Sequence, residues 1–161
     1  MSDNVTIEGI DELVKKLTSL GVDIKQEAGP VAMKAMLRVE SAAKQKCNVD
    51  NGLTRASIAT KQIEQGDEVL IQCGTNVKSA AYLEFGTGIY AENGQGRKTP
   101  WLWQVESRKW ASILGVEVGD SVLWHGSHPH PFMRPAWDEN KDGVYADVQK
   151  GLQSLIKRYT A

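Results

Sequence analysis

The residues best suited to chemistry in this chain are three histidines within six positions, His125, His128 and His130. Imidazole is the commonest metal ligand and titrates closest to neutral pH. A metal centre needs three or four suitable ligands, and no clear cysteine or carboxylate partner lies nearby in sequence. Pro129 and Pro131 hold the stretch extended, so His128 and His130 can share a side while the ligand set stays incomplete. These are expected to be surface histidines on a loop, without a metal. Ser57, Glu84 and His125 can be assembled into a nucleophilic trio on paper, yet no sharp elbow surrounds Ser57. Gly94-Gln95-Gly96-Arg97-Lys98 lacks the strand-loop-helix setting of a phosphate cradle. No catalytic residue and no cofactor is expected; a metal-dependent enzyme using the three histidines is the rival reading.

Glu84 is the more informative carboxylate, because it stands between Leu83 and Phe85. A charge there must face water, pair with a base or cross an interface, since burying it alone is costly. It either makes an ion pair inside the fold, with Arg55 or Arg134, or fixes register in a contact between subunits. Of five tryptophans, Trp101, Trp103, Trp110 and Trp124 cluster in a region expected to protrude as a hairpin, where a single layer cannot bury them all. That favours assembly over a solitary monomer. Phe132 and Trp137 are assigned to the core.

The elements that must position these residues follow from periodicity. Val5 and Ile7 alternate as a brief strand, and Ile10, Leu13, Val14, Leu17 and Leu20 form the stripe of a short helix stopped at Gly21. A second helix starts near Gln26, with Pro30 in its first turn and an alanine-rich stripe running to Ala43. A turn at Asp50-Asn51-Gly52 leads into a strand near Ser57 to Ile63, and Gly66-Asp67 joins it to a return strand carrying Val69, Ile71 and Cys73. Gly86 to Lys98 is a glycine-rich loop. Strands are expected at Thr99 to Glu106 and Ser121 to His125, with Ser107 to Asp120 either extending that hairpin or folding over it. The final helix runs from after Pro135 to about Tyr159, with Gly143 and Gly151 weakening it by about 1 kcal/mol each.

At 161 residues and 17.7 kDa the chain fits a single domain, residues 1–161, large enough to bury a core without staples. With 19 basic and 20 acidic residues, the net charge of -1 gives no bulk attraction to nucleic acid. Cys47 and Cys73 fit free thiols made in a reducing cytoplasm. No segment resembles a signal peptide, and none approaches the ~20 apolar residues that cross a bilayer.

Three segments carry a family signature in order: Val49-Asp50-Asn51-Gly52-Leu53-Thr54-Arg55-Ala56-Ser57-Ile58, Tyr82-Leu83-Glu84-Phe85-Gly86-Thr87, and Pro131-Phe132-Met133-Arg134-Pro135-Ala136. Together they resemble the tail-completion family of long-tailed bacteriophages. Asn48, Asn51, Thr54 and Ser79 depart from the usual proline, threonine, leucine and aromatic; the two asparagines keep the turn chemistry, while Thr54 and Ser79 remove apolar bulk. The resemblance implies an α+β fold, a small mostly antiparallel sheet packed by a long helix and a C-terminal helix, with a long hairpin or loop insertion. It implies a structural virion protein at the head-proximal end of the tail, assembled in the host cytoplasm into a sixfold ring. Its expected partners are the tail tube or tail terminator protein and a head-completion or neck protein, with genomic DNA only passing through the lumen. Head completion on the same fold is the nearest alternative. Asp50, Gly52, Arg55 and Ser57 are expected to set the first turn, and Pro131, Phe132, Arg134 and Pro135 to anchor the last helix. Tyr82, Glu84, Phe85, Gly86 and Thr87, with Trp101, Trp103 and Trp124, are expected to form the contact surface.

Overall fold

A computed structural model of the chain describes residues 10–48, 52–65, 68–94 and 96–160. The fold is α+β: α1 (Ile10–Lys46), α2 (Leu53–Ser57), β1 (Ala59–Gln65), β2 (Glu68–Gly74), α3 (Lys78–Phe85), β3 (Trp101–Gln104), α4 (Arg108–Leu114), β4 (Ser121–Trp124) and α5 (Met133–Thr160). The strands form two separate antiparallel ribbons, β1–β2 and β3–β4, where the resemblance implied one small sheet. The chain divides into two compact units, one of Met1–Ala42, Ala59–Gly74 and Ala136–Ala161, the other of Ala43–Ile58 and Thr75–Pro135. The expected strand at Val5 and Ile7, Asp50 of the first turn and the Gly66-Asp67 loop lie outside the described residues, as do the side chains of the first apolar stripe.

The first unit is helical, with a ribbon. Its two expected helices are one: α1 continues through Gly21, and Pro30 lies in its interior. A lone glycine costs a helix only about 1 kcal/mol, too little to end it without a capping turn. The missing Pro30 N–H is costlier, about 3 kcal/mol, and the following turns offset it by packing on α5. Val31 lies against Gly151, Arg38 pairs with Asp147 at 2.7 Å, and Glu27 pairs with Arg158 at 2.9 Å. Gly151 therefore makes room for a neighbouring helix, a gain that the propensity reading of this glycine omits. Ala35 and Val39 of α1 and Val144 and Leu155 of α5 are buried, and Trp137 meets Tyr145 edge-on at 6.1 Å. In the ribbon Thr60 pairs with Cys73 and Ile63 with Leu70, and Glu40 accepts a 2.7 Å bond from the Thr60 amide, tying β1 to α1.

The second unit holds the three signature segments, apart from Ala136. Residues 53–57 form a short helix, so the first strand begins at Ala59 and not at Ser57. The Ser57 hydroxyl explains the shift: it donates back to the Thr54 carbonyl at 2.8 Å, a local bond that competes with a strand ladder. Trp101 pairs with Trp124 and Trp103 with Val122 across β3–β4. Val105 and Asp120 extend the backbone pairing by one step, after which the connection turns into α4 and folds over the ribbon. Trp110 of α4 meets Trp103 and Trp124, with ring centroids 6.0 and 6.4 Å apart. Neither Cys47 nor Cys73 forms a disulfide. Burial pushes the Cys47 thiol up, with Arg55 partly opposing.

Candidate functional site

The second and third signature segments lock together. α3 ends at Phe85, where Gly86 takes a positive φ of 74°, and α5 begins at Met133 with Pro135 in its first turn, where no backbone donor is required. Glu84 in the last turn of α3 is 5% exposed and aims its carboxylate at the start of α5. It accepts from the amides of Phe132 at 2.8 Å, Met133 at 2.9 Å and Arg134 at 3.1 Å, and from Arg134 Nε at 2.9 Å. A residue 48 positions away in sequence thus supplies the anionic cap that a local Ser or Asp usually gives a helix.

Arg134 closes the latch. Its Nη2 donates to the Glu84 carbonyl at 2.9 Å, its Nη1 binds Glu92 at 2.7 Å, and its guanidinium lies 5.0 Å over the Phe85 ring. Burial alone would raise the Glu84 pKa, but the three amides and the guanidinium more than reverse it, holding the carboxyl below its usual range. Bonds to Glu92 first, and to Glu84 second, push Arg134 up. Of the two readings the sequence allowed for Glu84, the internal ion pair with Arg134 is the one formed; its carboxylate is committed within the subunit and offers no surface charge. Arg55, the other candidate partner, donates to the Cys47 carbonyl at 3.3 Å instead.

The Gly-Thr-Gly step after Glu84 threads under the chain from His125 to Pro129. The Thr87 amide donates to the Ser127 carbonyl at 2.9 Å, Ile89 to the His125 carbonyl at 3.0 Å, and Ser127 to the Thr87 hydroxyl at 2.9 Å. Any side chain on Gly88 would run into the His125 carbonyl, and any on Gly126 into that of Thr87. Phe132 is buried at 1% exposure, as its core assignment requires. Gly52, with φ of 81°, precedes α2, and the Ser57 hydroxyl also bonds that of Thr75. Pro131 is exposed.

A groove of about 970 Å³ opens beside the latch, between α3, the 86–97 segment and the tryptophan face of β3–β4. Tyr82, Phe85, Gly86, Thr87, Trp101, Trp103 and Trp124 all line it, so the structure gathers every residue assigned to the contact surface except the inward-facing Glu84. Tyr82 is 62% exposed and Phe85 45%. Arg97 lies 5.5 Å over Trp101 at one wall. Glu92 and Ser127 were not legible as participants, since Glu92 sits in a glycine-rich stretch without periodicity; Trp110, grouped with the other tryptophans in sequence, is brought in by the α4 fold-back. His128 stacks on Tyr90 with centroids 3.9 Å apart, and the His130 amide donates to the Leu83 carbonyl at 2.7 Å. Among the described residues, no group of three or more His, Cys, Asp or Glu is placed to hold a metal ion.

Fold and site define a small α+β protein in which Glu84, Arg134 and Glu92 pair with one another and aromatic residues line an open groove. Residues 11–86 match the family described as "Bacteriophage HK97-gp10, putative tail-component". The match supports an HK97-gp10-like phage tail-component domain over those residues, consistent with the tail-completion resemblance. The match takes in the first two signature segments; the third lies beyond it. No curated protein and no solved structure matches the chain. No helix among the described residues is long and apolar enough to cross a membrane.

Proposed function

We propose that this protein is a non-enzymatic building block that joins the phage tail to the capsid neck. Residues 1–161 act as one tail-completion-like domain, copies of which close a sixfold ring at the head-proximal tip of the tail. One side of the ring meets the tail tube or tail terminator protein and the other a head-completion or neck protein. Genomic DNA passes through the lumen, a duty suited to a chain whose net charge is -1, since phosphate binding scales with clustered basic charge. The observation that carries the reading is the groove: an aromatic surface left open beside a fully paired latch is a surface for another protein. A lysate made without this protein should accumulate DNA-filled heads and separate, finished tails. Infectious particles produced in its absence would reject the proposal.

A further inference from the structure

Alternation along β3 and β4 gives their ribbon two unlike faces. Trp101, Trp103 and Trp124 are half-buried and line the groove, while Leu102 and Leu123, directly opposite each other in register, point the other way and are 73% and 60% exposed. Most of the large apolar side chains left exposed among the described residues belong to this unit. A small-molecule site would present uncommitted polar groups converging on an apolar pocket. Here Arg97 lies over Trp101, Glu92 is held by Arg134, and the Thr87 hydroxyl accepts from Ser127. Apart from the Ser79 and Ser127 hydroxyls, what remains on offer is mostly apolar, largely aromatic wall.

We infer that the groove of one subunit receives the Leu102–Leu123 face of a second copy. This rests on the proposed ring, because a ring requires two different, complementary patches on one chain, repeated by rotation. Opposite faces of a single ribbon supply both, so each contact leaves a free groove at one end and a free leucine pair at the other. An aromatic side chain can bury roughly 150–250 Å², and with Tyr82 62% exposed, Phe85 45% exposed and the tryptophans half-buried, these five offer on the order of a few hundred Å². That is an apolar centre for the ~800 Å² each partner gives a stable interface, with the rim of the groove supplying the remainder.

Sedimentation velocity on the full chain, from about 1 µM to about 1 mM, tests the inference. The wild type should associate beyond the dimer. Tyr82→Asp, which spoils the groove, and the Leu102→Asp/Leu123→Asp double variant, which spoils the opposite face, should each stay monomeric with an unchanged circular dichroism spectrum. Mixed one to one, they should form a heterodimer and nothing larger, because only one intact pairing survives. A monomeric wild type, undiminished association of either variant, or a mixture that stays monomeric would overturn the inference. If either variant fails to fold, Ser79→Cys with Leu102→Cys in a Cys73→Ser background decides: disulfide-linked ladders support the contact, and their absence under conditions where the wild type associates rejects it. Rings seen at tail tips despite intact association of both variants would reject this interface while leaving the ring itself in place.

Discussion

Glu84 takes four hydrogen bonds on a carboxylate almost wholly withdrawn from water, and three come from amides that no other residue of α5 can satisfy. Removing it orphans those donors together, so Glu84→Ala should lower unfolding stability by about 2–4 kcal/mol, and Glu84→Gln by about 1–3 kcal/mol, read from urea midpoints. Glu84→Lys, which the contact reading would leave folded, sets a cation against Arg134 and a helix N-terminus and should cost more than either. Because the folded carboxyl titrates below its unfolded value, its stabilisation is complete above the ordinary Glu value of about 4.3 and fades as pH falls through the lower folded value. The gap between wild type and Glu84→Gln should therefore be full at about pH 7 and narrow in that acidic window; a gap independent of pH would contradict the latch. The sequence showed that Glu84 needed a partner and put Arg134 on a short list. It did not show the three amides, because they converge only once α3 ends against the start of α5.

At the scale of elements, the crossing of the 87–89 and 125–127 segments is set by backbone proximity. Gly88→Ala or Gly126→Ala would force a methyl group into a carbonyl at a positive φ, and each should destabilise by more than about 2 kcal/mol in the same measurement. Gly21 is the opposite case. It is helical, exposed and faces open space, so Gly21→Ala should stabilise by up to about 1 kcal/mol, whereas a true helix stop would resist the change. Strand alternation was readable because Trp101, Trp103, Val122 and Trp124 repeat every second residue on one face. The continuity of α1 was not, since Gly21 and Pro30 carry local stop signals while the contacts that outweigh Pro30 come from α5, more than a hundred residues later. The α3 segment escaped notice because eight residues are too few to display a clear stripe.

For the whole molecule, residues 11–86 match a phage tail-component family and seven residues expected at a contact surface line one groove; on the proposed reading the work of this part is fit against neighbours. Two of the three signature segments, widely separated in sequence, form a single latch whose contacts only the folded chain reveals. The groove was only half legible: alternation supplied its tryptophan wall, but α4 had to fold back before Trp110 could complete it. The most direct test of a head-proximal structural role is electron microscopy of isolated tails carrying a tagged copy of this protein. Label is expected in a ring at the tip that meets the head. Label along the tube or at the host-facing end, or tails that join heads with no label bound, would contradict that role.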